Sequence, residues 1–416
     1  MPDRTISIIG LGYIGLPTAA VIAARGSHVV GVDVSQEVVD TINRGEIHIV
    51  EPELDVVVRA AVSTGHLQAF TEPQPADAFL IAVPTPFLDD KTPDLSYIER
   101  AARAVASVLR PGNTVILEST SPVGATEKLC AWMQEERPDL GFPNTMGNEA
   151  DIRVAHCPER VLPGHILREL VENDRVIGGM SERCAEAADS VYRLFVEGEL
   201  VHTDVRTAEM CKLTENAFRD VNIAFANELS LVCDRYGINP WELIGLANRH
   251  PRVNILQPGP GVGGHCIAVD PWFLIAENPD VTPLMRAARD VNDYKPDYVV
   301  GEIRRRLAEK EHPVVACLGL AFKPDVDDLR ESPALQIVHK LAAASDDAHL
   351  MVVEPHVETL PDSLRAFPNV TLCSLNAALE SADLVVGLVR HRQIARDLAA
   401  QPLEPGRFLD FVNLHV

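Results

Sequence analysis

Short apolar runs of strand length recur along the chain, and most are separated by stretches with helical spacing. Thr5–Ile9 reads as a buried strand and Val29–Val32 as the next. Between them an Ala-rich helix, roughly Leu16–Ala24, stops at Arg25-Gly26. Further strand signals fall at 78–83, 114–118, 152–155 and 176–177, which predicts a parallel, doubly wound sheet over about the first 200 residues. The rhythm then changes. A helical pattern without proline runs from about Thr207 to Tyr236, with Gly237 as its stop, long enough for a spine joining two domains. Prolines and glycines crowd 251–264. From Pro313 the strand–helix alternation returns, with strands expected at 314–318, 350–353, 370–372, 384–389 and 408–411.

The first strand runs straight into Gly10-Leu11-Gly12-Tyr13-Ile14-Gly15. In G-x-G-x-x-G the first glycine makes a tight turn, the second lets a pyrophosphate approach the backbone, and the third lets helix and strand pack closely. The helix N-terminus then offers unpaired N–H groups to the phosphates. Asp33 falls at the end of the second strand, placed for a ribose 2′-hydroxyl and repelling a 2′-phosphate, so NAD is expected rather than NADP. The expected fold class is therefore α/β: two Rossmann-like doubly wound parallel-sheet domains joined by a helical middle domain with a long spine helix. The boundaries read as 1–202, 203–300 and 301–416.

Composition narrows the partners. The formal net charge of -23 argues against nucleic acid or an anionic membrane, while leaving room for a small anion held by local cations. No apolar run is long enough to span a bilayer. Met1-Pro2-Asp3-Arg4 leads directly into the first strand without the features of a secretory signal, so a cytoplasmic location is expected. The eight cysteines are scattered without a C-x-x-C pair, which fits reduced thiols, mostly small buried hydrophobes, and no metal site is expected.

Other motifs follow strands, where ligands bind in open α/β sheets. Val83-Pro84-Thr85-Pro86 and Glu118-Ser119-Thr120-Ser121-Pro122-Val123-Gly124 should line the cofactor crevice unless they are plain stiffened turns. Pro158-Glu159-Arg160-Val161-Leu162-Pro163-Gly164 puts a carboxylate after another strand. The spine carries Glu209-x-x-Lys212-x-x-x-Asn216, with Asp220, Asn227 and Glu228 beyond, and Lys212 and Asn216 share a face. Met210, Leu213, Ala217, Phe218 and Phe225 around them suggest a buried helix, in which an ammonium can stabilise an oxyanion. A solvated Lys–Glu face is the competing reading. In Gly259–Gly264 five of six residues are Pro or Gly, which leaves room for a ligand beside Cys266, a presented thiol with Asp270 four residues on. His265 beside it is a base only if it does more than fill space. Phe322-Lys323-Pro324-Asp325 and Asp327–Pro333, with Arg330, offer charge to a diphosphate, or else form a salt-bridged loop. Arg304–Arg306 reads as a solvated face.

Taken in order, GLGYIG, STSPVG, PERVLPG, EMCKLTENAFRD, GGHCIAVDP and FKPDVDDLRESP resemble the UDP-glucose/GDP-mannose dehydrogenase family across essentially the whole chain. The segments RGEIHIVEPEL and NRHPRVNILQPGPGVGGHCIAVDPWF look most like the branch acting on UDP-N-acetyl-D-mannosamine, whose uronate product enters bacterial surface polysaccharides. The resemblance implies a four-electron oxidation of a UDP-sugar using two NAD. Cys266 would be the nucleophile, passing through a thiohemiacetal and a thioester. Lys212, Asn216 and Asp270 would hold the sugar oxygen or the catalytic water, and Thr120 and Glu159 would orient that water or act as base. Gly10, Gly12, Tyr13, Ile14, Gly15, Asp33, Thr85, Thr120 and Arg330 would bind the cofactor. Glu159, Arg160, Val161, Lys212, Asn216, Arg219, Arg252, Gly263 and Lys323 would bind the substrate. The middle helices would pair two chains as a homodimer. UDP-glucose members carry a lysine directly before the aspartate matching Asp270, whereas Val269 stands here, which favours an N-acetylated hexosamine over glucose. UDP-N-acetylglucosamine and UDP-glucose remain alternatives with the same chemistry. A two-electron dehydrogenase of the β-hydroxyacid type would lack the GGxC loop and the second α/β domain.

Overall fold

The computed structural model describes residues 4–88, 90–162, 164–264, 266–344, 347–401, 403–404 and 406–414. Met1–Asp3, read above as the lead-in to the first strand, and His265 lie outside them. The chain forms two compact units, 1–215 and 216–416.

The first unit is built on eight strands: β1 (Thr5–Ile9), β2 (His28–Val32), β3 (Leu67–Phe70), β4 (Ala78–Ile81), β5 (Thr114–Leu117), β6 (Arg153–His156), β7 (Arg175–Gly179) and β8 (Leu200–Asp204). Their order in the sheet is β3-β2-β1-β4-β5-β6-β7-β8. All neighbours run parallel except β6 and β7, which pair antiparallel through Ala155–Gly179 and His156–Gly178. Separate apolar clusters cover the two faces. Buried strands such as Phe79–Ile81 and Val115–Leu117 accordingly read as continuous apolar runs. The sequence pattern omitted β3 and β8. β3 alternates buried and exposed positions over four residues, and β8 is half-exposed, so neither presents a long apolar run.

The second unit holds β9 (Val314–Leu318), β10 (His349–Val353), β11 (Val370–Leu372), β12 (Leu384–Gly387) and β13 (Phe408–Asp410), ordered β11-β10-β9-β12-β13 and wholly parallel. Helices Pro240–Ala247, Asp270–Glu277 and Pro283–Leu307 precede it. Arg304, Arg305 and Arg306 are exposed, as a solvated face requires.

The spine helix runs Val205–Tyr236 and ends at Gly237, whose φ of 66° suits glycine. Within the second unit its buried face sets polar groups among small apolar ones. The Arg289 guanidinium, 2% exposed, donates to Asp220 Oδ1 at 2.7 Å and also binds Asp293. Asn292 Nδ2 donates to the same Asp220 oxygen at 2.8 Å, and Asn227 Nδ2 donates to Asn292 Oδ1 at 2.9 Å. Burial raises the Asp220 carboxyl and Arg289 opposes that rise. Removing one member of such a pair leaves a buried charge uncompensated, whereas surface pairs contribute little. Asp220→Ala should therefore cost about 3–5 kcal/mol in urea unfolding. Glu197→Ala, which breaks the exposed Arg25–Glu197 pair, should cost under about 1 kcal/mol. Equal costs would show that the buried pair is not the anchor.

Candidate active site

Two of the three glycines after β1 are demanded by the protein itself. A Cβ on Gly10, at φ 93°, would lie 2.6 Å from the Ala82 carbonyl oxygen, and one on Gly15 would lie 1.8 Å from the Gly10 oxygen. A Cβ on Gly12 would meet nothing within 4 Å, so no packing within the chain requires glycine there and the backbone is open to a close approach. β1 and β4 are neighbours with a crossover between them, so the Gly10 loop and the Val83–Pro86 loop flank the switch point of the sheet. There the buried Thr85 hydroxyl has no hydrogen-bond partner. Asp33 is half-buried, accepting from Leu11 N–H at 3.0 Å and from Ser35 N–H at 3.0 Å. This donor and acceptor set fits NAD.

The Glu118–Gly124 loop is held by the spine helix. Glu209, 1% exposed, accepts from Gly124 N–H at 2.6 Å, Thr126 N–H at 2.8 Å and the Thr126 hydroxyl at 2.6 Å. It thereby caps helix Ala125–Glu136. Burial raises its carboxyl, and these three donors oppose the rise. Thr120 is half-buried in that loop. Glu159 follows β6 and is 8% exposed. Arg160 is committed to Glu215 at 2.7 Å, and Val161 is half-buried. Past them, Glu51 accepts from Gly164 N–H at 2.9 Å and Ile166 N–H at 2.8 Å, fixing the rest of the loop.

Along the spine, Lys212 and Asn216 are half-buried. The expectation of a buried apolar helix does not hold: Met210 is 41%, Phe218 69% and Phe225 58% exposed, because the packed face carries Leu213, Ala217, Asp220, Ala224 and Asn227.

In the second unit Asn216 Nδ2 donates to Asp270 Oδ2, and Asp270 is 3% exposed at the first turn of helix Asp270–Glu277. Cys266 lies one turn ahead, its carbonyl accepting from Asp270 N–H at 2.8 Å. The glycine loop is anchored at both ends: Gly259 N–H donates to Asn227 Oδ1 at 2.9 Å, and Arg289 reaches the Ile267 carbonyl at 3.4 Å. Two of its glycines are also required by packing. A Cβ on Gly263 would come 2.4 Å from the Glu331 carbonyl oxygen, and one on Gly264 would come 2.7 Å from the Phe322 ring. Gly264 N–H also donates to the Arg330 carbonyl at 3.1 Å. The thiol loop and the Phe322–Asp325 loop are thus one packed body, with Lys323 half-buried on it. Asp325 N–H donates to His391 Nδ1 at 3.0 Å, and His391 Nε2 in turn meets Glu354. Arg330 is exposed and pairs with Asp328 at 2.6 Å; Arg219 and Arg252 are exposed.

Reading the sequence missed Glu51, Glu118, Arg175, Tyr192, Glu209, Asn227, Arg289 and Asn292 as site-building residues. Glu51, Glu118, Glu209 and Asn227 sat inside quoted motifs, and an acid beside a buried strand or a Gly-Pro loop was the available signal. None of the eight cysteines forms a disulfide; Cys266, Cys211 and Cys373 are half-buried and the others buried. Among the described residues no helix is long and apolar enough to cross a membrane.

Comparison with known proteins gives a consistent result. Residues 4–196 match the NAD binding domain of the UDP-glucose/GDP-mannose dehydrogenase family, 206–294 its central domain and 316–415 its UDP binding domain. An NDP-N-acetyl-D-galactosaminuronic acid dehydrogenase of Ralstonia nicotianae is 64% identical over 94% of this chain and 92% of its own. A UDP-N-acetyl-D-mannosamine dehydrogenase of Campylobacter jejuni is 59% identical over 93% of this chain and 95% of its own. The solved structure of the UDP-D-ManNAc dehydrogenase of Pyrococcus horikoshii superposes with a TM-score of 0.87 at 39% identity, covering 99% of this chain and 96% of that one.

Asp33→Ala should raise the KM for NAD about tenfold, the size expected for losing hydrogen bonds to a charged acceptor, and narrow the preference over NADP. Steady-state kinetics with both cofactors tests this, and an unchanged KM would remove Asp33 from the cofactor site.

Proposed function

The chain belongs to the UDP-glucose/GDP-mannose dehydrogenase family, and from that premise we propose that it oxidises UDP-N-acetyl-D-mannosamine at C6 to UDP-N-acetyl-D-mannosaminuronate. NAD-dependent oxidation of a nucleotide sugar follows from the family. The observation that carries the finer reading is the half-buried Cys266 thiol, on a loop anchored by Asn227 and packed against the loop bearing Lys323. An enzyme that stopped at the aldehyde would need no such thiol.

The Gly10–Gly15 loop, Thr85 and Asp33 would hold NAD, which when bound would accept a hydride in each of two oxidations, the first converting the C6 alcohol to the aldehyde as its hydroxyl proton passes to solvent. The Cys266 thiolate adds to the C6 aldehyde carbon, forming a C–S bond and turning the carbonyl oxygen into an alkoxide that Lys212 and Asn216 stabilise. Loss of hydride from that carbon leaves a thioester. Glu159 takes a proton from water, the water oxygen adds to the acyl carbon, the C–S bond breaks, and the thiolate leaves as the carboxylate forms. Thr120 orients the water, and Asp270 holds Asn216. Lys323, Arg160, Val161, Gly263, Arg219 and Arg252 bind the UDP-sugar, and Arg330 the cofactor. The product feeds surface polysaccharide synthesis from the cytoplasm, on a chain divided at 202 and 300. Val269, 8% exposed, stands where the glucose enzymes carry a lysine, which supports an N-acetylated hexosamine. The Ralstonia relative favours a second reading, in which the same chemistry acts on the galactosamine sugar.

Purified protein should yield two NADH per mole of limiting UDP-N-acetylmannosamine. UDP-N-acetylgalactosamine, UDP-N-acetylglucosamine and UDP-glucose serve as parallel substrates, and Cys266→Ser should form no uronate. Two NADH with another sugar would correct the substrate; one NADH, or uronate from Cys266→Ser, would remove the thioester route.

We propose further that the spine helices pair two chains. Phe218, Phe225 and Val232, at seven-residue spacing, line one face and are 69%, 58% and 45% exposed, and Tyr236 one turn on is 76% exposed. Such a stripe is an association surface. Phe218→Asp with Phe225→Asp should convert a dimer to a monomer in sedimentation velocity, and an unaltered dimer would place the contact elsewhere.

A further inference from the structure

A buried polar cluster lies against Glu159 and is unused by the chemistry above. Arg175, on β7 and 1% exposed, lies 3.8 Å through its Nη1 from Glu159 Oε1. Glu118, at the end of β5 and 2% exposed, accepts a 2.6 Å hydrogen bond from the Tyr192 hydroxyl on helix Glu182–Tyr192. His156 and Cys157, leading into Glu159, are fully buried. Burial pushes the His156 imidazole down to about 3 and the Cys157 thiol up to about 12, so neither carries charge near neutrality. Arg160, the next residue, is occupied by Glu215. The Arg175 guanidinium also lies 5.8 Å from the centre of the Tyr192 ring, whose hydroxyl binds Glu118, so one cation stands between Glu159 and the Tyr192–Glu118 pair.

This arrangement is poor as a stabilising device. Glu118 Oε2, Glu159 Oε1, and Arg175 Nε and Nη1 are buried without a hydrogen-bond partner. Apolar side chains of similar volume would commonly be no worse for stability. It is well suited to controlling charge. Two carboxylates beside one guanidinium in a dry site do not both ionise easily, and the proton rests on the one less well stabilised. Burial chiefly pushes the Glu118 carboxyl up to about 7, and the Arg175 charge opposes that rise.

We infer that Arg175 is a positioning residue that holds Glu159 as an ionised carboxylate, and that Glu118 tunes it by competing for the same guanidinium. The inference rests on the reading of Glu159 as the base. The acid limb of the kcat–pH profile tests both, because an ionised base is lost as pH falls through its pKa. Arg175→Gln removes the stabilising cation, so the limb should move up by about one pH unit or more, the effect of an opposite charge at this distance. Arg175→Lys keeps the charge and should restore it partway. Glu118→Gln, nearly isosteric, removes the competitor and should move the limb down. A purely structural role gives no such opposite pair of shifts. If Arg175→Gln fails to fold, the downward shift in Glu118→Gln still decides the matter, with the thermal midpoint of each variant as the folding control. Glu159→Gln should abolish the limb. A limb that survives in Glu159→Gln overturns the base reading and this inference with it. A limb that vanishes there, yet stays in place in Glu118→Gln and in every folded Arg175 variant, overturns this inference alone.

Discussion

Loops built from glycine and proline cannot satisfy their own N–H groups with a repeating ladder, and when such loops are packed against a core the acceptors must come from elsewhere. In this chain they come from half-buried or buried carboxylates. Asp33 takes the N–H groups of Leu11 and Ser35, Glu51 those of Gly164 and Ile166, Glu209 those of Gly124 and Thr126, and Glu354 those of Leu320, Ala321 and His356. Each clamp fixes a loop at the carboxyl end of a strand, where an open α/β sheet binds ligands. A charged acceptor makes a stronger and more directional bond than a carbonyl, so these loops are preorganised before any ligand arrives.

The clamps explain what was legible in the sequence and what was not. The strand–helix rhythm, the glycine turn after β1 and the stop at Gly237 are local patterns, and periodicity finds them. Asp33 was found because its offset from the glycine motif is fixed by the length of one βαβ unit. Glu51 and Glu209 close contacts over 113 and 85 residues, and at such separations no spacing rule exists. Glu209 also sits on a helix carrying Lys212 and Glu215, where a single acid looks like a solvated face. The spine misled in the opposite direction. Its large apolar residues pointed to burial, yet Phe218 and Phe225 are exposed while Asp220 and Asn227 are buried. Composition reveals how apolar a helix is, and not which of its faces is packed within the chain.

The loop glycines teach a related point. Gly12 and Gly264 look equivalent in a string of letters. A Cβ on the first would meet open space, and on the second the Phe322 ring at 2.7 Å. The first glycine is open on its side-chain face, and the second joins two loops into one body that carries both Cys266 and Lys323. Chemistry that must bring a reactive thiol to a fixed carbon gains from that rigidity, because small misplacements of a reacting group are costly.

The two α/β sheets repeat one device and use it differently. After β1, Gly10 N–H donates to the Val32 carbonyl and Leu11 N–H to Asp33; after β9, Gly319 N–H donates to the Val353 carbonyl and Leu320 N–H to Glu354. The acid at the end of the second strand occupies the same place in both. Asp33 is half-buried and keeps acceptor capacity for a ribose hydroxyl. Glu354 is 5% exposed, and its oxygens are taken by three backbone N–H groups and the His391 imidazole, which has no freedom to offer a ligand because its Nδ1 accepts from Asp325. The same strand-end carboxylate thus keeps acceptor capacity open in one sheet and is wholly committed to loop architecture in the other. In the second sheet Glu354 and His391 hold the loop that carries Lys323, so that side chain stands on a fixed backbone.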